Sequence, residues 1–258
     1  MSLERRNVIF HIDVNSAFLS WEATYRLHHL GGKEDLREKV SAVGGDMAMR
    51  HGIILAKSIP AKKFHIKTGE TILEAKQKCP ELILVPPNYG LYEKCSKAFM
   101  DILRRYSPDV EQYSIDEAFV DMTGTEGLWG DPVTAAYRMK DQIRDTLGFT
   151  VNIGISENKL LAKMASDFQK PDRVHTLWHN EIEDKMWPLP VEDLFMAGRS
   201  SVETLHKLEM RTIGDVAQAD PAILELHLKS HGRMLWESAN GIGDDVVRPV
   251  RAESKGIG

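Results

Sequence analysis

Cysteine is nearly absent: Cys79 and Cys95 are the only two among 258 residues. Two thiols make neither a disulfide framework nor a thiolate zinc site, and a reducing cytoplasm is the simplest compartment. Long apolar runs are missing too, since no stretch approaches the roughly 20 residues that cross a bilayer. The opening MSLERRNVIFHID holds basic side chains but has neither the apolar core nor the small-residue cleavage site of a signal peptide. Internal repeats and low-complexity tracts do not occur. Nor is there an excess of positive charge: 33 Lys and Arg face 38 Asp and Glu, a net of −5. Nucleic-acid binding usually leaves a basic footprint, so the total alone points away from it. A total hides distribution, however, and a carboxylate-rich metal site lowers the sum. What remains is an ordinary globular composition, 42% hydrophobic and 28% charged, long enough for one large domain or two to three small ones.

Along the chain, Val8-Ile-Phe-His-Ile12 is a β-rich run that ends in Asp13. Asn15 is placed to cap a helix over residues 16–29, which carries Phe18, Trp21, Tyr25 and His28 on one side and stops at Gly31-Gly32. Strands are expected over 41–44, 52–56 and 82–85, with a helix over 71–79 halted by Pro80. An amphipathic helix is predicted over 89–106, its apolar positions being Leu91, Cys95, Ala98, Phe99, Ile102 and Leu103. Two short strands follow, 110–113 and 117–122, joined in a hairpin through Ser114-Ile115-Asp116. A helix over 133–147, a strand over 150–155 and a helix over 158–168 complete an α+β pattern, a sheet with helices on one face. After Lys170-Pro171-Asp172 the texture changes: apart from a short run over 174–178, the chain becomes short helical segments punctuated by proline and glycine, and a domain boundary is placed near Pro171.

Three carboxylates stand out. Asp13 ends the first strand, and Asp116 and Glu117 sit at the bend of the hairpin. Hard divalent cations such as Mg2+ prefer oxygen ligands, and two ions about 3.5–4 Å apart stabilise both oxygens of an in-line phosphoryl displacement. Strand-end acids more often simply face water. They form a site only if the first strand and the hairpin are neighbours in one sheet.

Four segments, in order, resemble the Y-family of lesion-bypass DNA polymerases. Tyr113-Ser-Ile-Asp-Glu-Ala-Phe-Val-Asp121 resembles the family's S-[IL]-D-E-A-[YF] pattern, and Phe10-His-Ile-Asp-Val-Asn-Ser-Ala-Phe18 its first metal motif. Ile155-Ser-Glu-Asn-Lys-Leu-Leu-Ala-Lys-Met-Ala-Ser-Asp167, followed by Lys170-Pro171-Asp172, is similar to its triphosphate-lysine helix. Residues 189–194 through Arg211-Thr-Ile-Gly-Asp-Val216 are similar to its helix-hairpin-helix thumb. The resemblance covers residues 8–247. It implies a right-hand polymerase with a ferredoxin-like palm sheet (1–16 plus 84–170), small fingers (17–83), a helical thumb (171–245), and in 246–258 a linker toward a missing C-terminal DNA-binding domain.

On the same resemblance, Asp13, Asp116 and Glu117 are the catalytic acids. They would hold two Mg2+ ions with the Val14 carbonyl as a further ligand. Lys159 and Lys62 would contact the nucleotide, Phe18 would be the steric gate against a ribose 2′-OH, and Gly198 and Arg199 would meet DNA. Primer–template DNA and deoxynucleoside triphosphates are the implied substrates, a sliding clamp is a further partner the family admits, and no membrane is involved. The chain departs from the family at Asn15, where many members carry an acid. In the fingers, Ile59 and Lys62 stand where a Tyr and an Arg commonly grip the triphosphate; lysine keeps the charge but not the bidentate fork. The thumb turn, Met196-Ala-Gly-Arg-Ser-Ser201, keeps only Gly198 of the usual glycines.

Two rivals are weighed. A palm-fold nucleotidyl cyclase has no use for a helix-hairpin-helix. Gly44-Gly-Asp46 is similar to only part of the cyclic-dinucleotide synthase motif, so a turn is the simpler reading. A non-catalytic polymerase-like scaffold would not need Asp13, Asp116, Glu117 and Lys159 intact. His206, His227 and His231 lack carboxylate or cysteine partners in the sequence pattern and are expected on the surface, and the tryptophans are expected to pack.

Overall fold

A computed structural model describes residues 6–45 and 52–249. Asp46 and residues 250–258 of the expected linker lie outside them. Eight strands form two sheets: β1 (Ile9–Val14), β2 (Ser41–Gly44), β3 (Ile54–Lys57), β4 (Ile83–Val85), β5 (Val110–Gln112), β6 (Glu117–Asp121), β7 (Val151–Ser156) and β8 (Val174–Thr176). The larger sheet has the order β5-β6-β1-β7-β8, and the smaller the order β3-β2-β4. The helices are α1 (Ala17–His29), α2 (Ile59–Lys62), α3 (Ile72–Lys78), α4 (Tyr89–Tyr106), α5 (Glu126–Trp129), α6 (Pro132–Leu147) and α7 (Lys159–Asp167). After β8 come α8 (Ile182–Lys185), α9 (Arg199–Lys207), α10 (Ile213–Gln218), α11 (Pro221–Leu228) and α12 (Ser230–Ala239).

Period-two alternation divides the larger sheet into two faces. Phe10, Ile12 and Val14 of β1, Ala118 and Val120 of β6, and Val151, Ile153 and Ile155 of β7 enter one core with Phe99, Leu103, Met139 and Ile143 from α4 and α6. The other face carries His11, Asp13, Glu117, Phe119, Asn152 and Gly154, and it is not bare. Helix α7 lies on it, so the sheet has helices on both faces rather than one. Gly154 is the reason α7 fits so closely: a Cβ there would stand 1.9 Å from the Ala162 carbonyl oxygen and 2.5 Å from the Ser166 nitrogen.

Helix α1 differs from the expected one-sided amphipath. Its first half is buried all round (Ala17, Leu19, Ser20, Trp21, Glu22 and Ala23), because it is wedged between the larger core and the smaller sheet. Asn15 does not cap it. Ser16 takes the N-cap position in the left-handed region with no side-chain cap bond, and the buried Asn15 side chain points back into the sheet. Its Nδ2 donates to Asn152 Oδ1 (3.1 Å), while its Oδ1 accepts from Thr150 Oγ1 (3.0 Å) and the Asp172 backbone N–H (2.9 Å). Asn15 thus ties the end of β1 to the turn after α7.

A second core gathers Leu161, Met164 and Ala165 of α7 with Leu177, Leu194, Leu205, Ile213, Leu224 and Leu235, and a small third core lies under the β2–β3–β4 sheet. Strand β8 follows Pro171 yet pairs in parallel with β7, so between the α7 part of the second core and its continuation from Leu177 the chain returns once more to the larger sheet. The tryptophans pack as expected: the indole N–H groups of Trp129, Trp187 and Trp236 donate to the carbonyls of Tyr106, Ala239 and Ala219. His206 does have an acidic neighbour, Glu192 at 3.2 Å.

Candidate active site

The condition for a carboxylate site is met. β1 and β6 are antiparallel neighbours in a register that sets Asp13 opposite Glu117, and the Val14 backbone N–H donates to the Asp116 carbonyl at 3.0 Å. The three acids therefore share one end of the sheet, at its centre. Their side chains are answered by cations and hydroxyls. Lys170 pairs with Asp13, Lys163 Nζ lies 2.7 Å from Glu117 Oε2, and Ser114 Oγ donates to Asp116 Oδ1 at 2.6 Å. In this arrangement no three His, Cys, Asp or Glu side chains converge tightly enough to enclose an ion, among the described residues.

The electrostatics bear the mark of crowded acids. Burial pushes the Asp13 carboxyl up to about 6; Lys170 opposes that rise, and the charges of Glu117 and Asp116 add to it. Burial also raises Glu117, but hydrogen bonds from His11 and Lys163 outweigh it and hold the carboxyl down at about 2. An acid made costly by burial and by like neighbours is one that a divalent cation relieves. The donor set of carboxylates with adjacent backbone carbonyl oxygen suits Mg2+, and the ammonium groups of Lys163 and Lys170 stand where positive charge is wanted.

Helix α7 supplies the first of those cations, Lys163, from one stripe. Residues three and four apart lie on the same helical face, so Lys159, Lys163 and Ser166 line up toward the sheet. Asn158 caps the helix by accepting from the Leu161 N–H at 2.8 Å. Lys163 and, just past the helix, Lys170 meet the acids. Lys159, the lysine singled out in the sequence, lies one turn farther along, about 5.4 Å of rise away. Its Nζ pairs with Glu111 at 3.0 Å and Asp244 at 2.9 Å, over the ring of Phe119. It closes a strap: the Lys159 backbone N–H donates to Asp244 O (2.9 Å), Arg248 N–H donates to Glu111 Oε2 (2.8 Å), and Val247 is buried against Ile9, Phe119 and Ala162. The described partners of Lys159 are thus the strap and β5, while Lys163 and Lys170 are the lysines beside the acids.

Phe18, on the first turn of α1, is half-buried and stacks nearly parallel on Tyr92 (centroids 4.5 Å apart, 11° between planes), with Tyr89 edge-on at 6.4 Å. Tyr92 is fully buried and its hydroxyl donates to Glu22 at 3.1 Å. Lys62 ends α2 beside β3, exposed, and its charge helps depress the half-buried Lys57, whose burial is the larger cause. Ile59 opens that helix, half exposed. Gly198 and Arg199 stand at the N-terminus of α9. Space is open around Gly198, and the Arg199 side chain is 94% exposed, with Glu203 its one partner among the described residues.

Three functional candidates escaped the sequence reading. Lys170 was quoted as part of a motif but given no role. Lys163 is four residues after Lys159, a spacing that does announce a shared face. His11, two residues before Asp13 on a strand, necessarily faces the same way as Asp13.

The sequence profile of the impB/mucB/samB family matches residues 12–167. DNA polymerase IV of Clostridium acetobutylicum is 50% identical over 251 residues, which cover 97% of this chain and 63% of that protein. DNA polymerase IV of Acetivibrio thermocellus is 40% identical over 236 residues, covering 92% of this chain and 57% of its own length. The chain thus spans less than two thirds of these relatives. Among solved structures, DinB from Sulfolobus solfataricus superposes with a TM-score of 0.83 at 24% identity, over 94% of this chain and 69% of that one. A Y-family DNA polymerase chimera, Dbh-Dpo4(243-245)-Dbh, superposes at 0.81 over 93% and 69%. Motifs in order, an acid cluster on adjacent strands and a shared fold agree: the chain belongs to the impB/mucB/samB family and has the fold of the Y-family DNA polymerase catalytic core.

Proposed function

We propose that this chain is the catalytic portion of a translesion DNA polymerase, which adds deoxynucleotides to a primer 3′-OH as a template directs. The observation that carries the proposal is the register of β1 and β6, which brings Asp13, Asp116 and Glu117 to one sheet end beneath two lysines. Asp13, Asp116, Glu117 and the Val14 carbonyl would hold two Mg2+ ions. The metal, when bound, would supply charge stabilisation for the attacking and leaving oxygens. The protein's own part is positioning. Lys170, now paired with Asp13, would be free to serve the triphosphate as a mobile point charge once that acid held a cation. Lys62 would approach the same phosphates from the fingers. Lys159 would act at longer range through the palm surface, since its side chain is committed to Glu111 and Asp244.

Phe18, backed by Tyr92, would meet the sugar and exclude a 2′-OH. Gly198 and Arg199 would take a DNA phosphate at the start of α9. The division into palm (1–16 and 84–170), fingers (17–83) and thumb (171–245) draws support from a small core lying within the fingers and a second core lying mostly within the thumb, with β8 added to the palm and with α1 and α7 packing across the boundaries. Intracellular work on DNA fits a chain in which no described helix is long and apolar enough to cross a membrane. A sliding clamp remains a proposed partner.

The test is primer extension on an undamaged template and on one with an abasic site, with Mg2+ and with chelator. Metal-dependent extension past the lesion supports the proposal. DNA binding with no nucleotide addition under any condition would favour the polymerase-like scaffold instead.

A further inference from the structure

His11 is fully buried in the middle of β1, and a buried imidazole must account for both ring nitrogens. Nδ1 lies 2.7 Å from Ser166 Oγ, and Nε2 lies 3.2 Å from Glu117 Oε2. The Ser166 hydroxyl has one proton and two acceptors to choose from, His11 Nδ1 and the Lys163 carbonyl at 2.8 Å. If it served the carbonyl, a neutral His11 would carry its proton on Nδ1, and a bare Nε2 would face a carboxylate oxygen. The arrangement is satisfied when Ser166 O–H donates to Nδ1 and Nε2–H donates to Glu117. Ser166 is itself fully buried, its carbonyl fixed by Asn152 Nδ2 at 2.9 Å. The support is therefore rigid back to β7.

Both described hydrogen bonds to the Glu117 carboxylate, from His11 and from Lys163, fall on Oε2. One oxygen is anchored to the sheet and α7, which leaves Oε1 to the site. We propose that His11, oriented by Ser166, is a positioning residue that fixes the rotamer of Glu117 and so presets the acid cluster for its metal. The inference rests on the reading of Glu117 as a metal ligand. Supporting partners of ligating groups act in this way generally, and their loss costs about 10–100-fold in metal affinity.

The test compares the wild-type chain with His11→Leu, His11→Gln and Ser166→Ala. Mn2+ binding is followed by electron paramagnetic resonance, and the imidazole nitrogens by long-range 1H–15N spectra. The wild type is expected to carry its ring proton on Nε2, with a signal that moves when Mg2+ is added. His11→Leu should weaken Mn2+ binding about tenfold. His11→Gln, whose side-chain amide nitrogen takes the place of Nε2, should recover most of the loss, and Ser166→Ala should fall between. Melting temperatures separate positioning from folding; should His11→Leu not fold, the ring tautomer and the other two variants decide. A ring proton on Nδ1 in the wild type overturns the inference, as does Mn2+ binding of unchanged strength in the variants that fold. No Mn2+ binding by the wild-type chain overturns the metal-site reading itself and this inference with it.

Discussion

A carboxylate buried at a strand end costs free energy until a cation answers it, and Asp13 shows that cost in a carboxyl pushed up to about 6. The sign follows from linkage. The folded chain holds a proton that the unfolded chain has released, so without metal this group subtracts stability as pH rises from its ordinary 3.8 through about 6. Asp13→Asn should therefore raise the stability of the metal-free chain at pH 7 by on the order of 1–3 kcal/mol while removing activity. The gain should vanish below about pH 4, and chemical denaturation across pH checks both statements. Glu117 behaves oppositely: its depressed carboxyl contributes stability present above its unfolded pKa, lost as pH falls toward about 2. Phe18 makes a second residue-scale prediction. If Phe18 is the steric gate proposed above, Phe18→Ala should raise the ratio of ribo- to deoxynucleotide incorporation at least tenfold, about 1.4 kcal/mol of lost discrimination, because only the wrong substrate would meet the ring. Competitive incorporation kinetics measure it, and an unchanged ratio would return Phe18 to a purely packing role against Tyr92. Asp13, Asp116 and Glu117 could be picked from the sequence because the family-like motifs carry them; as strand-end acids alone they would more often simply face water. The partners that tune them, Lys170, Lys163 and His11, depend on where α7 lands, which no local pattern states.

Among the elements, α7 decides the site. It presses on the sheet because position 154 has no side chain, and it delivers one lysine per turn along its sheet-facing stripe. Gly154→Ala sets a methyl group against backbone on α7, where no flexible side chain can yield. It should cost about 3 kcal/mol or more and lower activity further by moving Lys163 and Ser166; thermal melts beside kinetics check this. Lys159 marks the limit of reading a helix alone. The resemblance implies a phosphate role for it, and the fold adds that it clasps Glu111 and the strap at Asp244. Lys159→Met should accelerate hydrogen exchange at residues 244–248 at least severalfold while leaving exchange in β1 and β6 unchanged. Unaltered exchange in that segment would remove the strap role. Strand and helix boundaries were legible to within a residue or two, since periodicity and stops such as Gly31-Gly32 and Pro80 are local. That α7 covers the second face, and that Asn15 braces the turn after α7 instead of capping α1, are tertiary facts.

For the molecule as a whole, three cores joined through α1 and α7 make a hand whose acids lie at the centre of the larger sheet. The change of texture after Pro171 was visible in the sequence. The return of β8 to the sheet was not, because three residues in a parallel pair carry too little pattern to show. A net charge of −5 is compatible with a DNA enzyme once the acids are seen to be gathered at one site. The central claim, a metal-dependent nucleotidyl transfer at Asp13, Asp116 and Glu117, is tested most directly by single-turnover addition of the template-directed deoxynucleotide to a primer with Mg2+. Wild type and Asp116→Ala are to be compared at equal fold stability. The account predicts addition by the wild type and a loss of at least a hundredfold in the variant, as expected when charge stabilisation is removed from the transition state. Addition by Asp116→Ala at the wild-type rate would contradict it.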